Sequence, residues 1–250
     1  MLTWSRGFTI NYESAGTGPP VVLVPGTLSS AAQWELFGYT RALAIDARVV
    51  AVDPLGHGLS DKPHAPDAYA AEGVIADLLA VLDAADIEQA TVWGYSRGGW
   101  IAYGLAAAHP ERVTRLVVGG FGAHAHAAEL SLQSAWFEHL SRADWSGFWR
   151  TFGIEDSALL RPVEEANDPL AIAAAVAGSQ RPTRAVDLAA VSCPTFHYVG
   201  AQDWIAEYVA ADAEALGAPV KFLPGAQHLE AFAQAVPALA AVTPWLRGSP

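Results

Sequence analysis

The stretch Ala90-Thr91-Val92-Trp93-Gly94-Tyr95-Ser96-Arg97-Gly98-Gly99 predicts how this 250-residue chain folds. Its apolar start reads as a buried strand, and the residues after Gly99 have helical spacing, so the strand should turn directly into a helix. Such a sharp turn holds a serine in a strained conformation at the carboxyl edge of a sheet. Gly94 and Gly98 allow the strand and the helix to approach without Cβ clashes. We therefore interpret Ser96 as a candidate nucleophile.

Six apolar runs lack alternation, as strands buried on both faces do. These runs are 21–24, 49–52, 90–93, 116–118, 196–199 and 220–223. The opening segment instead alternates apolar and polar residues through Phe8, Ile10 and Tyr12, which is typical of a half-buried strand. The runs predict a covered, mostly parallel sheet.

Segments with helical spacing alternate with these runs. The clearest segment has Val74, Ile75, Leu78, Leu79 and Leu82 on one face, with Asp77 and Asp83 on the other. Four further helical segments are 34–44, 97–108, 207–216 and 230–241. Alternation of strand and helix predicts an α/β fold with helices on both faces of the sheet.

The alternation fails between Gly122 and about Thr183, where the residues favour helix. We expect a helical cap, or lid, at 122–183 that interrupts a core made of 1–121 and 184–250. The cap segment holds six aromatic residues, which are Trp136, Phe137, Trp145, Phe148, Trp149 and Phe152. The pairs 145/149 and 148/152 share a helical face. These aromatics could form the small core of the cap, and they could also line an apolar substrate pocket.

Charge and cysteine content exclude several classes of function. Lys and Arg number 14 against 26 Asp and Glu, a net charge of −12, which repels phosphate backbones and anionic lipids. We expect a small-molecule substrate, with no nucleic-acid partner and no membrane association. The single cysteine, Cys193, can form neither an internal disulfide nor a zinc cluster.

The expected location is cytoplasmic. Arg6 stands where a signal peptide would carry its apolar stretch, and no apolar run approaches the ~18 residues needed to span a bilayer. A single unpaired cysteine also suits a reducing compartment. The sequence leaves the oligomeric state open.

With these features, the chain resembles the α/β-hydrolase superfamily over nearly its whole length. Gly94-Tyr95-Ser96-Arg97-Gly98 carries the resemblance, together with the turn Asp53-Pro54-Leu55-Gly56-His57-Gly58-Leu59-Ser60. The second turn is similar to the Asp-x-x-Gly-x-Gly-x-Ser turn of esterases, haloalkane dehalogenases and epoxide hydrolases. The last two use an aspartate nucleophile, so serine at position 96 implies the esterase-like branch and acyl chemistry on esters, thioesters, lactones or amides.

A serine needs a base within hydrogen-bond reach and a group that orients the base. The superfamily order is serine, then acid, then histidine. Here Asp203 follows the run 196–199 and His228 follows 220–223, so both fall where parallel sheets place their sites. The resemblance implies that Ser96, Asp203 and His228 form the catalytic triad. Asp53 is an alternative orienting acid, although its glycine turn favours a structural role.

Other histidines do not follow this order. They are His57, His64, His109, His139 and His197. His124 and His126 form a His-x-His that could chelate a metal, but no third ligand stands in an evident motif. We predict neither a metal nor a cofactor.

Two backbone N–H groups should hold the oxyanion, those of Thr27 and Arg97. The family's usual His-Gly-x loop here begins with Pro25. For the Arg97 side chain, a solvated or salt-bridged position at the surface is favoured over contact with an acidic substrate. Three tryptophans complete the predicted site as substrate-binding residues, namely Trp34, Trp136 and Trp204.

The resulting hypothesis is a serine hydrolase that cleaves an ester, thioester or lactone of a small, largely apolar substrate through an acyl-enzyme on Ser96. Three same-fold alternatives use similar residues: a carbon–carbon bond hydrolase, a lyase and an acyltransferase. A low-turnover ligand receptor is an alternative from another class. The sequence does not identify the natural substrate.

Overall fold

One sheet organises the computed structural model, which describes residues 1–123, 134–155, 160–179 and 187–248. Within these residues it has eight strands in the order β1-β2-β4-β3-β5-β6-β7-β8. The strands are β1 (Leu2–Ser5), β2 (Phe8–Ala15), β3 (Pro20–Val24), β4 (Arg48–Asp53), β5 (Ala90–Tyr95), β6 (Val113–Gly119), β7 (Thr195–Gly200) and β8 (Val220–Leu223). Pairs β1–β2 and β2–β4 are antiparallel, and the other pairs are parallel.

Helices cover both faces of this sheet. They are α1 (Ala31–Leu36), α2 (Tyr39–Leu43), α3 (Ala71–Ala84), α4 (Arg97–Ala108), α5 (134–140), α6 (Trp145–Arg150), α7 (Arg161–Ala166), α8 (Pro169–Ser179), α9 (Ala206–Ala215), α10 (His228–Ala233) and α11 (Ala235–Arg247). In the described part of the chain, none of them is long and apolar enough to cross a bilayer.

The buried core has two layers, one on each face of the sheet. Val22 and Val24 of β3 pack into the layer formed with α3 and α4. Val21 and Leu23 pack into the other layer, which includes side chains of α1, α2, α10 and α11. Successive side chains of a strand point to opposite faces, so an uninterrupted apolar run is what a doubly covered strand requires. The predicted α/β class and its mostly parallel sheet are therefore confirmed.

The strand predictions hold with one exception at the edge of the sheet. All six apolar runs lie in strands. However, β8 has only β7 beside it, and Lys221 and Phe222 are exposed rather than buried. An edge strand is covered less completely than a central one, and Lys221 within this run is the residue in the sequence that indicates the exposure.

Three helix predictions need correction. Segment 34–44 divides into α1 and α2 at Gly38, which takes a φ of +92°, and segment 230–241 divides at Gln234. Asp77, predicted on a polar face, is buried. Its carboxylate accepts hydrogen bonds from Arg6 Nε at 3.0 Å and Nη2 at 2.6 Å. A buried carboxylate needs such a partner, and this one comes from 71 residues away in the chain.

Between β6 and β7 the chain is helical where it is described, as predicted for the cap. Its buried cluster is made of Leu140, Phe148, Trp149, Ile172 and Ala173. The 145/149 rings stack with centroids 6.2 Å apart, and the 148/152 rings meet edge to face at 5.3 Å. Phe148 and Trp149 thus form a small core with Trp136 and Trp145 packed against it, whereas Phe137 and Phe152 are exposed. The boundaries at 122 and 183 stay predictions, and His124 and His126 lie outside the described residues.

Candidate active site

Ser96 occupies the turn between β5 and α4. Its φ of 51° and ψ of −122° lie in a region that non-glycine residues rarely adopt, at a cost of roughly 1–3 kcal/mol. The Ser96 N–H donates to the carbonyl of Gly119 at 2.8 Å, which ties the turn to β6. A side chain at Gly98 would overlap the carbonyl of Val24. The turn therefore has the tight, strained geometry predicted for a nucleophile.

The loops after β7 and β8 bring an acid and a histidine to Ser96. His228 Nε2 lies 2.9 Å from Ser96 Oγ, and His228 Nδ1 lies 2.7 Å from Asp203 Oδ2. The Asp203 side chain is fully buried, whereas the His228 side chain is 23% exposed. The structure thus brings together the three residues that the chain order singled out.

The hydrogen-bond chemistry of these groups fixes the direction of the chain. An ionised carboxylate only accepts hydrogen bonds, so His228 Nδ1 must donate to Asp203. In the neutral ring, Nε2 is then left to accept the hydroxyl hydrogen of Ser96. The Tyr95 hydroxyl donates to the carbonyl of His228 at 2.5 Å and helps to fix the backbone under the ring. The arrangement can take a proton from Ser96 as its oxygen attacks.

The loop after β3 passes directly beside the nucleophile. A Cβ built on Gly26 would lie 3.0 Å from Cβ of Ser96, and the next residue, Thr27, lines the adjoining cavity. Arg97 is the first residue of α4, so its N–H has no acceptor within the helix. In the ranges that the structure describes, neither the Thr27 nor the Arg97 N–H donates to another protein group. Both predicted oxyanion donors are therefore available to a ligand.

A cavity of about 550 Å³ opens beside Ser96 and His228. Side chains of the cap contribute aromatic and aliphatic surface to it, and these are Trp136, Phe152, Ile154 and Val176. Trp204, 46% exposed, lines the cavity next to Asp203. Two of the three tryptophans predicted to contact substrate, Trp136 and Trp204, thus lie at the cavity.

The third tryptophan, Trp34, was predicted wrongly. Its side chain is completely buried in the layer beneath the sheet and does not line the cavity. The Trp34 ring meets Tyr39 and Phe232 edge to face, each with centroids 4.8 Å apart. Trp34 lies on the face of α1 that packs on the sheet, so it belongs to the core. It was predicted to bind substrate because it is close in sequence to a loop of the site, and that closeness does not place its side chain in the cavity.

The Arg97 side chain was also expected elsewhere. Instead of a solvated or ion-paired surface position, the residue is half-buried at the cavity, with its Nε and Nη2 atoms shielded from solvent. Its guanidinium lies 5.7 Å from the ring centre of Trp100. Burial lowers the pKa of Arg97 to about 10. No local sequence pattern indicates this burial, because it depends on packing around the cavity.

Asp53, the alternative acid, has a structural role. Its Oδ1 accepts from the Ala31 N–H at 2.7 Å, and its Oδ2 accepts from the Leu59 N–H and from Asn11 Nδ2, each at 2.8 Å. These bonds hold the glycine turn against the start of α1. The Asp53 carboxylate therefore has its acceptor positions occupied away from His228.

Among the remaining described histidines, His64 and His139 each lie within hydrogen-bond distance of a carboxylate, which their sequence positions did not reveal. His64 Nε2 lies 2.8 Å from Asp168, and His139 Nδ1 lies 2.8 Å from Asp144. His57 is fully buried, and desolvation lowers its pKa to about 3. In the described ranges, no group of three or more His, Cys, Asp or Glu residues is placed to hold a metal ion.

Residues 19–144, about half of the chain, match the family model for the alpha/beta hydrolase fold. The chain belongs to the alpha/beta hydrolase family. A curated relative of this chain is the 2-hydroxymuconate semialdehyde hydrolase of Pseudomonas sp. strain CF600, 37% identical over 135 residues. That match covers 53% of this chain and 47% of the relative, so the chain spans about half the relative's length.

Solved structures resemble this alpha/beta hydrolase over nearly the whole chain. The enol-lactonase of Burkholderia xenovorans LB400 has a TM-score of 0.78 and 21% identity, and covers 99% of this chain and 100% of its own. A thermophilic esterase from Thermogutta terrifontis has a TM-score of 0.79 and 24% identity, with coverages of 99% and 97%. At these identities the likeness establishes the shared fold alone.

Proposed function

We propose that this alpha/beta hydrolase is a serine hydrolase that cleaves a carboxylic ester, thioester or lactone of a small, largely apolar substrate. The observation that carries the proposal is the continuous hydrogen-bonded chain from Ser96 through His228 to Asp203, with contacts of 2.9 and 2.7 Å. A serine hydroxyl is a weak nucleophile near pH 7, and such a chain supplies the base and the group that orients it.

The first half of the proposed reaction forms an acyl-enzyme. His228 Nε2 removes the Ser96 proton while Oγ attacks the substrate carbonyl carbon. The carbonyl oxygen becomes an oxyanion, which the N–H groups of Thr27 and Arg97 stabilise; losing one such donor typically costs about 3–4 kcal/mol. His228 then gives its proton to the leaving oxygen or sulfur as the tetrahedral intermediate collapses. The acyl group is left on Ser96 as an ester.

The second half regenerates the free serine. A water molecule loses a proton to His228 Nε2 and attacks the acyl carbonyl, and the same two N–H groups hold the second oxyanion. The proton returns to Ser96 Oγ as the acid product leaves. Throughout, Asp203 keeps the imidazole oriented and stabilises its charged form. In a lactone the leaving hydroxyl remains attached to the product acid.

The cavity supports the expected size and polarity of the substrate. Its volume of about 550 Å³ falls in the range of small-molecule sites, and the cap side is aromatic and aliphatic. In this proposal the cap spans 122–183 and selects the apolar part of the substrate. The enol-lactonase and the esterase of the same fold act, by their names, on the bond types proposed here.

A second candidate is hydrolysis of a carbon–carbon bond next to a carbonyl. The relative with 37% identity is named as a hydrolase of a semialdehyde, and that name indicates neither an ester nor a lactone. The same Ser96–His228–Asp203 geometry could serve that reaction, because it too begins at a carbonyl carbon. Turnover of simple esters separates the two candidates.

A panel of short- and medium-chain esters, thioesters and lactones tests the proposal when assayed with the natural chain and with Ser96→Ala. We expect turnover of the best substrate to fall by at least about 10³-fold in Ser96→Ala, because the covalent route is lost. Ser14→Ala, at an exposed position on β2, is the matched control and should retain turnover. Full activity in Ser96→Ala would reject the acyl-enzyme. The second candidate would be favoured if the natural chain cleaves none of the esters, thioesters or lactones but does cleave a dienoate that carries a carbonyl group.

A further inference from the structure

Arg97 lies next to the nucleophile in sequence, and its guanidinium has neither an ion-pair partner nor a hydrogen-bond partner for Nε and Nη2 among the described residues. Arg97 directly follows Ser96, and the two Cα atoms of neighbouring residues lie about 3.8 Å apart. Both residues line the same cavity, together with His228. A ligand that occupies this cavity can therefore contact both Ser96 and Arg97.

The guanidinium has donors that nothing in the described protein satisfies. Arg97 Nε and Nη2 are both shielded from solvent and have no hydrogen-bond partner within the described ranges. Other arginines of the chain do find carboxylates, as Arg6 does with Asp77 and Arg112 with Asp83. A shielded charge without a partner is costly, so such a site is suited to a ligand that supplies the missing charge.

The acids near Arg97 are already engaged. Asp77, which attracts Arg97 at a distance, accepts both of its close hydrogen bonds from Arg6. In the cavity wall, Asp203 is bonded to His228. Glu230 lies exposed and accepts from the Gln227 N–H at 3.0 Å. Among the described residues, none of these three carboxylates therefore forms an ion pair or a hydrogen bond with the Arg97 guanidinium.

We propose that Arg97 is a specificity-determining residue whose guanidinium binds a carboxylate of the substrate beside the scissile bond. The substrate would then be an ester, thioester or lactone that carries one free carboxylate on an otherwise apolar skeleton. A guanidinium forms strong, charge-assisted hydrogen bonds with a carboxylate, and its weak hydration suits a shielded site. The Trp100 ring, 5.7 Å away, supports the face of the guanidinium. This inference rests on the proposed ester-cleaving function of Ser96.

A matched pair of esters tests the charge preference directly. Mono-4-nitrophenyl glutarate has a free carboxylate, and 4-nitrophenyl methyl glutarate has the same skeleton with that charge capped. The quantity to measure is the ratio of kcat/KM for the anionic ester to kcat/KM for the neutral ester. We expect this ratio to fall by about 10- to 100-fold in Arg97→Gln, in line with the loss of hydrogen bonds to a charged group. Because the quantity is a ratio, a general loss of activity cancels.

Two further variants make the result specific. Arg97→Lys keeps the positive charge but lacks the planar guanidinium, so it should retain part of the preference. It also serves as the test variant if Arg97→Gln does not fold. Arg41→Gln removes an equal charge from a side chain that is 74% exposed and should leave the ratio within about twofold. The proposal is overturned if the ratio is the same in the natural chain, Arg97→Gln and Arg97→Lys, or if Arg41→Gln lowers it as much.

A binding measurement separates this inference from the proposed function. Calorimetric titration of Ser96→Ala with monomethyl glutarate should give heat of binding that disappears in Ser96→Ala/Arg97→Gln, whereas dimethyl glutarate should bind both proteins equally. Binding through Arg97 without ester turnover by the natural chain would reject the proposed function and keep this inference. Ester turnover that depends on Ser96, together with binding of monomethyl glutarate that does not change when Arg97 is replaced, would keep the proposed function and reject this inference.

Discussion

The carboxyl edge of the sheet and the cap above it contribute to the cavity in different ways. At the sheet edge, polar side chains are paired in defined directions, as Asp203 is with His228 and Asp53 is with Asn11. The cap presents aromatic and aliphatic side chains, such as Trp136 and Phe152, to the cavity. Paired polar groups fix the positions that bond cleavage needs, whereas an apolar wall selects by size and shape. In the proposed function, the sheet edge therefore carries the chemistry and the cap selects the substrate.

Arg97 marks the boundary between these two regions. It belongs to the sheet edge by its position at the start of α4, yet it differs from the other charged groups there because its guanidinium has no partner in the described residues. Groups that are satisfied within the protein hold the site together, and a group left unsatisfied is available to a ligand. Arg97 is therefore the charged group of the sheet edge that we expect to contact the substrate.

The largest expected effect comes from removing the charge that orients the sheet-edge histidine. Asp203→Asn should lower kcat by about 10⁴-fold while the fold is retained, because the amide favours the wrong tautomer of His228. The measurement is single-substrate kinetics on the best ester of the panel. Asp86→Asn, an exposed position with a φ of 52° that Asn also tolerates, is the control and should be neutral. A loss below tenfold in Asp203→Asn would mean that the sheet edge does not work as a paired unit.

The next effect distinguishes a tryptophan of the sheet layer from one of the cap. Trp34→Ala should reduce the free energy of unfolding by about 3–5 kcal/mol, because it leaves a cavity among Tyr39, Trp93 and Phe232. Trp136→Ala should instead raise KM for the longer-chain esters severalfold with a smaller loss of stability. Urea denaturation and substrate-length series measure the two quantities. Equal effects of the two variants on both quantities would remove the distinction between core and cap.

The smallest expected effect is a pH dependence from a histidine inside the sheet. Burial lowers the pKa of His197 to about 4 from its ordinary 6.5, and its Nε2 lies 2.5 Å from the Tyr103 hydroxyl. Between these two values the unfolded chain binds the proton and the folded chain does not, so stability is complete above pH 6.5 and falls as the pH drops toward 4. Between pH 7 and 5 this contributes a loss of about 2 kcal/mol.

Urea denaturation of the natural chain and of His197→Gln at pH 7 and pH 5 measures that contribution. The variant should lose less stability over this interval, because glutamine does not titrate. His57, which is also buried, is present in both proteins and cancels from the difference. An identical pH dependence in both proteins would show that His197 takes up its proton equally well when folded.

Local patterns made the sheet and the triad positions predictable. A doubly buried strand needs an unbroken apolar run, so β3 to β7 could be recognised from their runs of consecutive apolar residues. Ser96, Asp203 and His228 each follow such a run, and the carboxyl ends of parallel strands meet at one edge. Chain order within a resembled family then limited which acid and which histidine to consider.

What could not be predicted depends on contacts between distant parts of the chain. Asp77 is buried because Arg6 reaches it, and no local pattern links positions 71 residues apart. The orientation of Trp34 depends on how α1 meets the sheet, which helical periodicity leaves undetermined. The burial of Arg97 depends on parts of the chain that are distant in sequence, and the buried Tyr69 lies close enough to interact with its charge. Local sequence patterns therefore do not predict which charged groups pair with one another.

Trapping the acyl-enzyme tests the central claim most directly. The natural chain should be mixed with a slowly deacylating activated ester, quenched in acid, digested and analysed by mass spectrometry. One added acyl group is expected on the peptide that contains Ser96, and none in Ser96→Ala treated in the same way. Acylation at another residue, or an unmodified Ser96 while the ester is being turned over, would contradict it.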